Sequence, residues 1–142
     1  MRVLGIDYGQ ARVGLALSDE TGTIAQGLFY CEGGPDSQVV RSVLQTAVER
    51  GAGKIVVGVP VRMNGTASPQ TERTLQFIAA LKAATTLPVL RWDERLTTVQ
   101  AERVLVEANV RRKDRREKID KLAAQIMLQS YLDATNQPPI PE

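Results

Sequence analysis

The stretch VLGIDYGQARVGLALSD, residues 3–19, constrains this chain more than any other. Two short apolar runs, 3–8 and 13–18, meet at a turn made of Gly9, Gln10, Ala11 and Arg12, which predicts an antiparallel hairpin. Asp7 does not suit such a strand. It falls in phase with Val3 and Gly5, yet Asp is depleted in strands and costly to bury as a bare carboxylate. Either a hard metal ion or a hydrogen bond from a nearby backbone N–H would compensate it. The glycines around it let a large ligand such as a phosphate backbone come close to the main chain.

At 142 residues the chain predicts one domain, and 43% hydrophobic with 24% charged residues describes an ordinary globular protein. No apolar run is long enough to cross a bilayer, and MRVLGID leads straight into a strand, so a cytoplasmic protein without membrane association is expected. There is one cysteine, Cys31, and no histidine. An internal disulfide, Cys/His zinc sites and any imidazole base are thereby excluded, and hydrolysis would have to run on carboxylates, hydroxyls and oxygen-liganded metals. Cys31 is expected to pack at a strand end without a catalytic role.

The net charge of +2 is unevenly spread. The run RRKDRREK, residues 111–118, has six basic and two acidic residues, so it carries +4 and leaves the remainder at −2. It reads as a solvated loop between helices, or, beside a site, as a phosphate contact. Arg111, Arg112, Lys113, Arg115 and Arg116 are the candidates in that run, joined by Arg12, Arg62 and Arg95 elsewhere.

A third strand is predicted over 24–31, completing an antiparallel meander. A helix follows, capped by Asp36 or Ser37, with Val40, Val43, Leu44, Ala47 and Val48 on one stripe and Gly51 at its stop. Residues 54–61 (KIVVGVPV) form a continuous apolar run, as in a strand covered on both faces. Ser68 and Pro69 open the next helix, with Leu75, Ile78, Ala79 and Leu81 toward the sheet. Residues 88–92 are a fifth strand, joined through a parallel crossover. A further helix is predicted over 97–108, where Thr97 and Gln100 have the form of a capping box. The last helix covers 119–133, and residues 136–142 are expected to be a mobile Pro-rich tail.

Among the carboxylates, Asp93 and Glu94 follow the fifth strand at its carboxyl end, where open sheets place ligands. Alternation sets Glu94 in phase with Leu90 and Trp92, and Asp93 with Val89 and Arg91, so only one points inward. Both could instead simply favour the N-terminus of the next helix. In the last helix Lys118, Lys121, Gln125 and Gln129 define a solvent face, whereas Asp120 falls in the apolar arc with Ile119, Ala123, Ala124 and Ile126. It is either the N-cap of that helix or a compensated inward acid. Should Asp7, Glu94 and Asp120 converge, their repulsion calls for divalent cations, and oxygen-only donors select magnesium or manganese. Two such ions are the usual arrangement for phosphodiester cleavage, which needs no protein base.

With these residues in view, the sequence resembles the YqgF family, the Holliday junction resolvase and pre-rRNA nuclease group of the ribonuclease H-like fold. The resemblance rests on LGIDYGQARVGLALSD, IVVGVPVRMNGTASPQ, the DERLTT run from Asp93 to Thr98, and DKLAAQIMLQSYL from Asp120 to Leu132. It implies an α/β three-layer domain over 1–135, with a five-stranded mixed sheet whose first three strands are antiparallel and last two parallel, flanked by helices. It further implies a metal site of Asp7, Glu94 and Asp120, with Asp93 a further candidate ligand, holding two Mg2+ or Mn2+ ions. The implied activity is metal-dependent cleavage of structured nucleic acid, in 5′-end maturation of the small-subunit rRNA precursor or at four-way DNA junctions. Junction cutting would be expected of a symmetric homodimer. Ala11 stands where similar proteins often carry lysine, and Asn64 where an acid is common. Two other classes share parts of the pattern: actin-like ATPases, which also open on Asp-x-Gly and a hairpin, and nucleic-acid-binding modules without catalysis.

Overall fold

The computed structural model describes residues 1–96 and 112–136, with side chains described for residues 1–95 and 122–136. The predicted hairpin supplies the middle of the sheet. β1 (Arg2–Tyr8) is the central strand of five, in the order β3-β2-β1-β4-β5. β2 (Arg12–Ser18) and β3 (Ala25–Glu32) continue antiparallel on one side, while β4 (Ala52–Val59) and β5 (Val89–Asp93) lie parallel to β1 on the other. This is the mixed order expected from the sequence.

Alternation along the strands makes two cores. Leu4, Ile6, Val13, Leu15, Ile55 and Val57 point to one face and are covered by α1 (Asp36–Glu49) and α2 (Pro69–Ala84). Val3, Ala16 and Val56 point to the other, under α3 (Arg112–Thr135). The three layers are therefore helices, sheet, helix.

α1 departs from its predicted stripe. Val39 and Thr46 turn inward and Val48 is 80% exposed. Thr46 tolerates burial because its Oγ1 donates to the Ser42 carbonyl. Neither predicted cap is used: Pro35 is the N-cap, and Asp36 instead accepts a hydrogen bond from Tyr8 Oη at 2.7 Å. α2 begins at Ser68 and Pro69 as predicted, with Thr71 as the reciprocal capping partner. Its phase is set by Phe77, stacked on Tyr8 with centroids 4.4 Å apart, so Phe77, Ile78 and Leu81 are buried and Ala79 is exposed.

α3 begins at Arg112, so residues 112–118 are helix where a loop was expected. Arg, Lys and Glu are good helix formers, and nothing in that run stops a helix. The predicted helix over 97–108, with its capping box, lies outside the described residues. α3 packs Ala124, Met127, Leu128, Tyr131 and Leu132 against the sheet. Gly5 allows the close approach, since a Cβ there would stand 2.9 Å from Leu128 Cβ. Gln125 and Gln129, predicted to face solvent, instead serve the sheet edge. Gln129 Oε1 accepts from the Ala25 N–H at 2.9 Å, and Gln125 Nε2 donates to the Ala25 carbonyl at 3.2 Å. β3 is an edge strand, and these amides satisfy backbone groups that periodicity along the helix does not reveal. Asn136, the first residue of the expected tail, donates to the Gly22 carbonyl at 2.7 Å; the rest of the tail lies outside the described residues. Among the described residues no helix is long and apolar enough to cross a membrane.

Candidate active site

Asp7 stands next to the end of β1 on the face that α3 covers, in register with Gly14 of β2 and Gly58 of β4. One strand further out, Gly14 pairs with Tyr30 and Gly58 with Trp92. A row therefore crosses the whole sheet: Tyr30, Gly14, Asp7, Gly58, Trp92. The only acid in it is central, each of its neighbours lacks a side chain, and an aromatic ring closes each end.

The space over Gly58 is used by Glu94, the first residue of a 3-10 turn (Glu94–Leu96) that follows β5. A Cβ on Gly58 would stand 2.7 Å from Glu94 Cγ and collide with its carboxyl oxygen. Glu94 is hydrogen-bonded to Asp7. Burial, then that hydrogen bond and the charge of Asp7, push the Glu94 carboxyl far above its ordinary range, so it holds a proton and donates to Asp7. Asp7 thus has the hydrogen-bond donor that its place in the strand demanded, and the donor is a second acid.

Asp93 is directed elsewhere. Its carboxylate accepts from the Arg95 backbone N–H at 2.9 Å and from Arg95 Nε at 2.8 Å, with Arg95 Nη2 at 2.6 Å, and this pairing lowers its pKa. Asp120 belongs to α3, but its side chain lies outside the described residues. Among the described residues no three His, Cys, Asp or Glu side chains gather closely enough to hold a metal ion. Asp7 and Glu94 form an adjacent pair, and their oxygen-only donor set suits a hard divalent cation.

The basic candidates fall into three places. Arg12, at the start of β2, lies over the Tyr30 ring with its Cζ 5.1 Å from the centroid. The loop that carries Arg62 reaches Arg95 beyond β4 and β5: residues 62–66 close on themselves through Arg62 N–H to Thr66 carbonyl (3.0 Å), and Gly65, at φ 84°, lies beside Arg95 Nη1. Met63, Trp92, Asp93 and Arg95 line an open cleft of about 320 Å3 there. Arg112, Lys113, Arg115 and Arg116 occupy the first turns of α3, and Arg111 lies outside the described residues. Asn64, where similar proteins often carry an acid, turns its Oδ1 to Thr66 N–H at 3.1 Å and Oγ1 at 2.7 Å and so shapes its own loop. Cys31 is half-buried against the α1/α2 core, which raises its thiol pKa.

Sequence reasoning missed the pair of glycines that flank Asp7 across the sheet. Gly14 and Gly58 were visible as residues, but their alignment with Asp7 depends on register, which periodicity within one strand does not fix. It also missed the contact of Arg12 with Tyr30.

A mixed sheet with the order β3-β2-β1-β4-β5, flanked by helices on both faces, is the ribonuclease H-like fold, and here a paired Asp and Glu lies at its carboxyl edge. Solved structures agree on the fold: Thermus thermophilus RuvC in complex with a Holliday junction substrate (TM-score 0.58, 15% identity, 96% of each chain) and the Fowlpox virus resolvase with Holliday junction DNA (TM-score 0.59, 14% identity, 96% of this chain and 100% of the other). Residues 1–134 match the family model described as "RuvX: Holliday junction resolvase", and the chain belongs to that family. Two relatives carry the name "Putative pre-16S rRNA nuclease". The one from Thermoanaerobacter pseudethanolicus is 46% identical over 94% of this chain and 97% of its own, and the one from Listeria monocytogenes is 46% identical over 96% and 100%. The family match sets this chain apart from the actin-like ATPases.

Proposed function

We propose that this chain is a divalent-metal-dependent endonuclease that matures the 5′ end of the 16S rRNA precursor, using Mg2+ or Mn2+ held by Asp7, Glu94 and Asp120. The observation that carries the site is the hydrogen-bonded Asp7–Glu94 pair over Gly58. A half-buried Glu94 that holds its proton against Asp7 is poised to exchange it for a cation, whose charge would let the Glu94 carboxyl ionise. Asp120 stands four residues before Ala124 and eight before Leu128, the spacing of the stripe that meets the sheet. When bound, such ions supply water activation and charge neutralisation at the scissile phosphate.

The protein's own part is to hold the donors and the substrate. Asp7 offers its oxygens from the middle of the sheet, and Gly58, lacking a side chain, leaves room for Glu94 to add its own carboxyl beside Asp7. Arg12, Arg62, Arg95 and the basic start of α3 hold neighbouring phosphates, with the Asp93 carboxylate orienting the Arg95 guanidinium. The name borne by close relatives favours the rRNA precursor. The family description favours a second substrate, a four-way DNA junction, for which a symmetric homodimer is the fitting form.

The deciding experiment offers purified protein, with magnesium or manganese, an rRNA precursor and a four-way junction side by side. Cleavage of the precursor at its 5′ side is expected, lost on chelation and in Asp7→Asn, Glu94→Gln and Asp120→Asn with the fold intact. Turnover surviving one substitution removes that residue from the site; cleavage of the junction alone reverses the order of the two readings.

A further inference from the structure

Asp7 leaves β1 at the last rung that this strand shares with β4, where a strand end is free to twist unless something outside the sheet holds it. We infer that Gln70, its amide oriented by Arg73, is a positioning residue for Asp7 and acts through the Tyr8 carbonyl. The inference rests on Asp7 being a ligand of the catalytic ions.

Asp7 and Gly58 are the final pair between β1 and β4, so Tyr8 has no partner in β4. Tyr8 is held instead by three contacts on the α1/α2 side. Its ring stacks on Phe77, its hydroxyl donates to Asp36, and its carbonyl accepts from Gln70 Nε2 at 3.1 Å. Alternation puts the Asp7 side chain on the opposite face, so holding Tyr8 in place fixes the backbone that carries Asp7. The next residue of α2, Thr71, donates from Oγ1 to the carbonyl of Pro60, just past β4. One turn of α2 thus grips the ends of both strands whose last rung carries Asp7 and the seat of Glu94.

The start of α2 does not need Gln70, because Ser68 and Thr71 already cap each other. Its amide is directed at the strand end, and Arg73 decides which way round it sits. Gln70 Oε1 accepts from Arg73 Nη2 at 3.0 Å and from Nε at 3.3 Å. A guanidinium only donates, so the amide oxygen stays with Arg73 and the amide NH2 faces the Tyr8 carbonyl. The same guanidinium reaches the turn between β1 and β2, where Gln10 Oε1 accepts from Arg73 Nε at 3.0 Å and Nη1 at 3.1 Å. Arg73 therefore ties α2 to the chain on the far side of Tyr8 as well. Groups that orient a metal ligand matter because catalysis falls steeply when a ligand is displaced by a fraction of its bond length.

The test compares Gln70→Met, Arg73→Glu, Arg73→Lys and, as a control, Leu81→Ala, which loosens the buried face of the same helix three turns further on. Three quantities are read below every variant's melting transition: steady-state cleavage of whichever substrate the wild type cuts, Mn2+ affinity by calorimetry, and the carboxyl carbon NMR signal of Asp7 in chelator. Gln70→Met keeps the length and loses the donor; it should lower kcat by about ten- to a hundredfold and Mn2+ affinity by about tenfold, and shift the Asp7 signal. KM should stay within about twofold, since Gln70 does not touch the substrate. Arg73→Glu should act in the same direction, because a carboxylate draws the Gln70 NH2 away from Tyr8, whereas Arg73→Lys keeps a donor and should restore wild-type values. Leu81→Ala should lower the melting temperature and move none of the three. A wild-type kcat and Asp7 signal in Gln70→Met, a loss in Arg73→Lys equal to that in Arg73→Glu, or the same losses in Leu81→Ala would overturn the inference. Should Gln70→Met fail to fold, the contrast between Arg73→Glu and Arg73→Lys decides alone. If the wild type neither binds Mn2+ nor cuts, the nuclease reading fails, while the Asp7 signal of the metal-free variants still judges whether Gln70 positions Asp7.

Discussion

Glu94→Gln should make the metal-free protein more stable while abolishing its activity. In the folded chain Glu94 keeps its proton well above the ordinary value of 4.5, through burial first and then its hydrogen bond to Asp7. The unfolded chain releases that proton above the ordinary value. Between the two the native state binds more protons than the unfolded state, so stability falls as pH rises. The loss is about 1.4 kcal/mol for each pH unit, hence about 3 kcal/mol by pH 7. Gln is uncharged at every pH and can still donate to Asp7, so it removes this penalty. For a domain of this size the gain corresponds to a rise in Tm of about 10 °C at pH 7, shrinking to nothing near pH 4.5. Thermal melts of both proteins in chelator, from pH 4.5 to 8, measure it. Excess manganese should then raise the Tm of the wild type and leave Glu94→Gln nearly unmoved. A Glu94→Gln Tm at or below that of the wild type at pH 7, or a difference that does not change with pH, would refute the shared proton on which the argument depends.

Gly58→Ala should displace the Glu94 carboxyl, because the new methyl would occupy its place; cleavage should fall at least about a hundredfold with little change in circular dichroism. Gly5→Ala should cost about 1–3 kcal/mol by pushing Leu128 and α3 off the sheet, read as a lowered urea midpoint. Gln129→Ala should cost about 1–2 kcal/mol, since it leaves the Ala25 N–H and the Thr23 carbonyl without their partner, and hydrogen exchange at Ala25 should quicken. Charge reversal at Arg112, Lys113, Arg115 and Arg116 should weaken nucleic-acid binding and flatten its salt dependence; an unchanged slope would leave that run as solvated helix surface.

Most of the fold was legible because each strand announces itself locally. The 3–19 hairpin has a turn of the right length, KIVVGVPV has the unbroken apolarity of a strand covered on both faces, and Ser68-Pro69 is a helix start with its own chemistry. What local pattern could not supply was anything set by a partner distant in sequence. The inward stripe of α1 turned on Val39 and Thr46, and the phase of α2 on Phe77, which follows its stack with Tyr8. Gln125 and Gln129 look like solvent-facing residues until the edge of β3 stands beside them. For the site, the strand phase of Glu94 against Asp93 was readable, and the structure turns Glu94 to Asp7 and Asp93 to Arg95. The two glycines beside Asp7 were not, since their alignment is a property of three strands together. The basic run defeated the loop expectation because charge argues for solvent without arguing against helix.

The paired amides of Gln125 and Gln129 have a consequence beyond covering one rung of a strand. A helix seated only on Ala, Met and Leu can roll or slide by a residue at modest expense, since apolar contacts carry little directional information. Amide to backbone contacts do carry it: a slip of one residue rotates an α-helix by about 100°, which would strip both glutamines from Ala25. The clasp therefore works as an index pin for the half of α3 that lies on the sheet, so the seating of Met127, Leu128 and Tyr131 is decided at the edge strand as well as in the core.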